Sequence, residues 1–130
     1  MSALRLLPGR FAVCRLAADE AIPGWIPGWA TGGPFSSVTR TAGELSIVCA
    51  EGLAPEGTKI EAGWRTFQMA GPLEFSLTGI LAAIATPLAN AGVSIFAVST
   101  FDTDYVMVKE ENLAKAVEAL GAAGHKVTDV

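Results

Sequence analysis

Asp102 and Asp104, two positions apart in the polar run Phe101-Asp102-Thr103-Asp104, are the acidic pair of this chain best suited to hold a small cation. Ionised carboxylates accept strong hydrogen bonds from an ammonium or a basic side chain. Ser99, Thr100 and Thr103 set hydroxyls around them, and Ser76 adds another from an upstream segment. The complementary chemistry lies at Thr78-Gly79-Ile80-Leu81, where helical spacing begins. The first N–H groups of a helix have no intrahelical partner and sit at the positive end of its dipole, which suits a carboxylate. Gly79 carries no side chain to block that approach. The plainer alternative is that Asp102 and Thr103 form an Asx-type turn, Asp104 is solvated and Gly79 serves packing.

No catalytic constellation competes with this reading, so the chain is not expected to be an enzyme. A Ser-His-acid set would need His125, the only histidine, and the strand, Gly-x-Ser-x-Gly, helix elbow is missing. His125 follows Gly124 at the end of a helical pattern, a place to cap carbonyls or start a strand. No third group poises Asp102 or Asp104 as a general acid. Cys14 and Cys49 lie in separate apolar runs without Cys or His at metal-ligand spacing, so no metal or cofactor is expected. They are expected to be buried reduced thiols, with a disulfide or a reactive thiol as the alternatives.

Composition narrows the partners. With 51% hydrophobic and 17% charged residues the 130-residue chain is globular rather than disordered. A net charge of −4, with nine scattered basic residues, argues against nucleic acid and anionic membranes, which need clustered Lys and Arg. No run of about 18 apolar residues is present, and residues 1–10 lack the apolar segment of a secretory leader. A cytosolic protein is expected.

The elements that must position these residues follow from periodicity. Residues 10–16, 35–41, 44–50 and 64–70 read as strands, the second and third joined by a tight turn at Ala42-Gly43. Between them, 17–33 is rich in Pro and Gly with Trp25 and Trp29 interspersed, and 51–63 reads as a connector. Ile80, Leu81, Ile84, Leu88 and Ala91 predict a helix with Thr78 as N-cap candidate and Gly92 as stop, in which Pro87 either makes a kink or removes one backbone bond. Residues 93–100 and 105–108 form a second hairpin, Leu113 to Ala123 a second helix, and 126–128 a last short strand. From 64 onward the order is β-α-β-β-α-β, an α+β ferredoxin-like arrangement with two helices on one face of an antiparallel sheet. The first half has the order of a degraded copy.

The runs Gly71-Pro72-Leu73-Glu74-Phe75-Ser76-Leu77-Thr78-Gly79-Ile80-Leu81 and Gly92-Val93-Ser94-Ile95-Phe96-Ala97-Val98-Ser99-Thr100-Phe101-Asp102-Thr103-Asp104-Tyr105, followed by Val108-Lys109, resemble ACT-domain proteins. Within that family they are similar to the small bacterial tandem members related to the cytosolic arginine sensors of animals. The resemblance implies the ACT fold in tandem, with residues 1–62 a degenerate ACT-like half and 63–130 an ACT domain. It also implies an effector site for a free amino acid between the loop after the first strand and the facing strand. Its ligand-binding residues would be Ser76, Thr78, Gly79, Ile80, Ser99, Thr100, Phe101, Asp102, Thr103 and Asp104. A free amino acid is a zwitterion, so donors at Gly79 and Ile80 suit its carboxylate, and Asp102 with Asp104 its ammonium or a basic side chain. Most family members carry Pro before the helix-opening Gly, whereas Thr78 stands here. Side-by-side pairing of such units implies a homodimer. The alternative function is a protein interaction module without a small ligand.

The same element order serves other chemistries, which the residues disfavour. Acylphosphatases rely on an Arg in the first loop, and residues 71–79 contain none. RNA-binding domains need exposed aromatics in basic surroundings, against the charge of −4.

Overall fold

The computed structural model describes residues 3–22, 35–54, 58–70 and 79–129. The chain divides into two compact units, one of Met1–Pro8 with Arg65–Val130 and one of Gly9–Trp64.

The larger unit holds β1 (Ala3–Leu6), the second part of β5 (Lys59–Met69), α1 (Ile80–Asn90), β6 (Phe96–Ser99), β7 (Asp104–Lys109), α2 (Leu113–Ala122) and β8 (Lys126–Asp129). Strands run in the order β6-β7-β5-β1-β8. From β5 onward the expected β-α-β-β-α-β order is present. β1 is an addition that the sequence pattern did not reveal. It pairs antiparallel with β5, Leu4 opposite Met69, and parallel with β8, Leu4 opposite Val127. The sheet is therefore mixed, a correction to the wholly antiparallel expectation, because the N-terminal strand lies between the first and last strands of the motif.

Both helices rest on one face, as their periodicity predicts. Ile84 and Leu88 of α1 and Ala116 and Leu120 of α2 share a fully buried core with Leu4, Phe67, Met69, Val106 and Val108. Those strand residues fall on alternate positions, as one face of a pleated sheet requires. Val93 and Ile95 join this core, although the strand that follows starts only at Phe96, later than expected.

The helices end alike. Val93 N–H reaches the Leu88 carbonyl and His125 N–H the Leu120 carbonyl, each across a glycine at positive φ, Gly92 (76°) and Gly124 (91°). These are Schellman closures, in which a left-handed residue lets the chain turn back onto the last carbonyls.

The smaller unit contains β2 (Phe11–Leu16), β3 (Ser37–Arg40), β4 (Leu45–Ala50), a 3-10 turn at Glu51–Leu53 and the first part of β5, in the order β3-β4-β2-β5. The hairpin of β3 and β4 is present, Val38 opposite Ile47. Ala12, Cys14 and Leu16 of β2 and Leu45, Ile47 and Cys49 of β4 build its core. Trp25 and Trp29 lie outside the described residues.

The expected connector over 51–63 is shorter than read, because β5 begins at Lys59 and pairs with β2 up to Trp64 opposite Phe11. Lys59, Ile60, Glu61 and Ala62 are exposed, so this stretch carries no apolar alternation to announce a strand. A bulge interrupts the register there, and Gly63, at φ 80°, gives its N–H to Glu51 Oε2 at 2.7 Å. Glu51 also meets Arg10 at 3.0 Å.

Candidate functional site

The β6–β7 link is a rigid turn built by two threonines. Thr100 N–H donates to the Thr103 carbonyl at 2.8 Å, and the Thr100 hydroxyl donates to that same carbonyl at 3.0 Å. Thr103 N–H returns to Thr100 Oγ1 at 3.3 Å. These bonds come from threonine rather than from an Asp102 carboxylate, so the turn is of the ST type and not the Asx type. Asp102 projects as an exposed residue, Asp104 is half-buried opposite the exposed Ser99, and Phe101 stands at the tip with 80% of its surface exposed.

Thr103 has a different task. Its side chain is 6% exposed and donates at 2.9 Å to the Met69 carbonyl. Met69 is the last residue of β5, and the chain from there leads through 71–78 to Gly79. One buried hydrogen bond thus joins the acidic link to the origin of the segment that opens α1. Ser76 and Thr78 lie outside the described residues.

At the other end of that segment Gly79 is the N-cap of α1, with φ 76° and ψ 0°, and no side chain caps the helix. This corrects the assignment of the cap to Thr78. The first intrahelical bond runs from Ala83 N–H to the Gly79 carbonyl at 2.9 Å, so the earlier amides, those of Ile80, Leu81 and Ala82, are left without a partner inside the helix. A residue with a β-carbon would strain this left-handed cap, although nothing lies within 4 Å of the place a Cβ would occupy. The glycine is thus required by backbone conformation rather than by close packing. Gly79 is exposed and Ile80 half-buried.

The cysteines offer no rival chemistry. Both are buried and free. The register sets Cys14 opposite Ile47 and Cys49 opposite Ala12, making the two thiols diagonal neighbours on one face. Burial pushes the Cys14 thiol up, partly offset by the hydrogen bond it receives from Cys49. Burial, then the neighbouring Cys14, pushes Cys49 up to about 12. Neither is a thiolate at neutral pH, so neither is an activated nucleophile. Among the described residues no group of three or more His, Cys, Asp or Glu could hold a metal ion.

His125, read from sequence as a cap or strand start, does more than either. It is 7% exposed, and Nε2 lies 2.9 Å from the Ala83 carbonyl on α1. The available signal was Pro87, which cannot supply the N–H that a carbonyl four residues earlier needs.

Comparison with known proteins agrees with this architecture. A family model described as an ACT domain matches residues 59–122, and a second model, of an N-terminal domain, matches 9–57. The human "Cytosolic arginine sensor for mTORC1 subunit 1" is 41% identical over 58 residues, 44% of this chain and 18% of that protein. Its mouse counterpart is 38% identical over 58 residues. The chain thus spans less than a fifth of these curated relatives, at 18% of each. A crystal structure of a protein from Agrobacterium tumefaciens is 40% identical with a TM-score of 0.90, covering 99% of this chain and 93% of that one. The ligand-free regulatory subunit of aspartate kinase from Thermus thermophilus shares the fold, with a TM-score of 0.58 at 14% identity over 88% of this chain and 91% of that one.

Proposed function

The chain belongs to the ACT-domain family, and from that premise we propose that it is a regulatory protein that binds a free amino acid and is not itself an enzyme. The observation that carries the reading is the 2.9 Å bond from the Thr103 hydroxyl to the Met69 carbonyl. It ties the link before β7, where Asp102 lies and Asp104 follows as the first residue of the strand, to the last residue of β5, ten residues before Gly79. The reading takes the α1 amide end as the anion-accepting side and the two aspartates as the cation-accepting side that a zwitterion needs. The proposed contacts are the α1 amides at Gly79 and Ile80 for the carboxylate, and Asp102 and Asp104 for the ammonium or a basic side chain. Ser99, Thr100, Phe101 and Thr103 are the further proposed contacts, with Ser76 and Thr78 proposed from the sequence alone.

L-arginine is the first ligand to try, because two carboxylates favour a basic side chain and the curated relatives are named as arginine sensors. The protein is proposed to be cytosolic and homodimeric; no helix among the described residues is long and apolar enough to cross a membrane. Its net charge of −4 argues against nucleic-acid partners.

A thermal-shift screen against the twenty free L-amino acids tests the reading, since a ligand that binds only the native state raises stability with concentration. Calorimetric titration of the best ligand into Asp102→Ala and Asp104→Ala then locates it. Each is expected to lose about ten- to a hundredfold in affinity, or about 1.5–3 kcal/mol, for a lost charge-assisted contact. The folded state of Asp102→Ala should hold within about 0.5 kcal/mol, as for most exposed positions. Unchanged affinity in both variants moves the site elsewhere. A second reading, a protein contact at the hairpin tip, draws on the exposure of Phe101. It gains if no amino acid shifts the melting temperature while Phe101→Ala alters self-association in sedimentation.

A further inference from the structure

Ala83 and Pro87 stand four apart in α1, so the N–H that should reach the Ala83 carbonyl is the one a proline lacks. The ring of Pro87 also crowds that carbonyl away from the helix axis. His125 fills the gap at 2.9 Å, and because a carbonyl only accepts, Nε2 must carry the proton. The same residue donates its backbone N–H to the Leu120 carbonyl at 3.0 Å, in the closing turn of α2. A single buried side chain thereby ties the end of α2 and the approach to β8 to Ala83. Ala83 in turn is the residue whose N–H closes the first turn of α1 on the Gly79 carbonyl.

We propose that His125 is a positioning residue for the amino-acid site. By holding Ala83 it fixes the first turn of α1, and with it the direction in which the amides of Ile80, Leu81 and Ala82, which have no partner inside the helix, point. The part of this that concerns binding rests on the amino-acid reading above; the tie itself does not.

Two roles must be separated, satisfying an orphaned carbonyl and holding the turn in place. Pro87→Ala separates them, because Ala at 87 returns an N–H to Ala83 from within the helix. The full chain is compared as wild type, Pro87→Ala, His125→Ala, the double variant and His125→Gln, which keeps an N–H donor at similar reach. The double variant is expected to recover most of the stability that His125→Ala loses in denaturant unfolding. Its first turn nevertheless stays untied. Without ligand, exchange of the Ala83 and Ile84 amides is expected to be about tenfold faster in the double variant than in Pro87→Ala, as a local opening. L-arginine affinity is expected to be about fivefold weaker in the double variant, with His125→Gln close to wild type.

Equal exchange rates in the double variant and Pro87→Ala overturn the proposal, since His125 would then do no more than satisfy a carbonyl. Faster exchange with unchanged L-arginine affinity overturns it as well. If wild type binds none of the twenty amino acids, the binding reading falls, and the exchange rates still decide whether the tie exists.

Discussion

The two units bury different kinds of polar group, and the difference shows where precise geometry is needed. In the unit of Arg65–Val130 with the N-terminal strand, Thr66, Thr103 and His125 are buried; Thr103 and His125 each bond a backbone carbonyl of another element, whereas the Thr66 hydroxyl has no partner among the described residues. In the unit of Gly9–Trp64 the cysteines are buried in the strand core, and the longer ties are made at the surface. Arg15 reaches the Gly43 carbonyl, and Arg40 reaches the carbonyls of Ala18 and Glu20. A bond made out of water fixes its partners more firmly than one that water competes for. The first unit therefore holds its loops in place through its core, whereas the second clips its loops from outside.

The largest effect that would sharpen this contrast lies in the helix-covered core. Leu88→Ala and Leu120→Ala remove fully buried side chains, and each is expected to cost about 2–5 kcal/mol in denaturant unfolding. Arg15→Ala in the other unit should cost far less. Losses of similar size at both places would show that burial does not distinguish them.

The cysteines predict an alkaline weakness confined to the strand unit. From its ordinary value of 9.0 to about 12, Cys49 keeps its proton when folded and loses it when unfolded. The unfolded chain then binds fewer protons, so stability falls as pH rises through that window and is unaffected below it, by an amount on the order of a few kcal/mol at the top. Unfolding midpoints measured between pH 8 and pH 11 should fall for wild type and stay flatter for Cys49→Ala. Identical slopes would place the alkaline sensitivity elsewhere.

Next in size is Thr103→Val, which preserves shape but strips the Met69 carbonyl of its donor. An unsatisfied buried acceptor costs about 1–3 kcal/mol. Weaker L-arginine binding should accompany the loss if the link is held as argued, and a stability loss with full affinity would detach Thr103 from the site. Smallest is Arg40→Ala, whose exposed bonds to carbonyls should contribute about 1 kcal/mol or less. A drop as large as that of Thr103→Val would break the contrast, because surface clips would then equal buried ones.

By itself the sequence determined the parts whose cause is local. Apolar residues at helical spacing placed Ile84, Leu88, Ala116 and Leu120 on buried faces, and Gly92 ended the first helix, while the structure chose Gly124 over Gly121 as the closure of the second. Their place in apolar runs put Cys14 and Cys49 inside, and the polar run from Phe101 set Asp102 on the link, whereas Asp104, expected on the link too, is the first residue of β7. Tertiary structure alone decided which segments meet. Periodicity reports which face of an element is buried but carries no mark of the partner that covers it. Nothing in Ala3–Leu6 names β5 or β8 as its neighbours, and the exposed start of β5 has no alternation to reveal its pairing with β2. Proline at 87 announced an unpaired carbonyl; that a histidine 42 residues after Ala83 would answer it depends on the packing of α2 beside α1. Likewise the hydroxyl of Thr103 looked like one more group for a ligand until the fold set it against Met69, 34 positions away. Hydrogen bonds across such separations arise only when the hydrophobic core has already brought the strands and helices together.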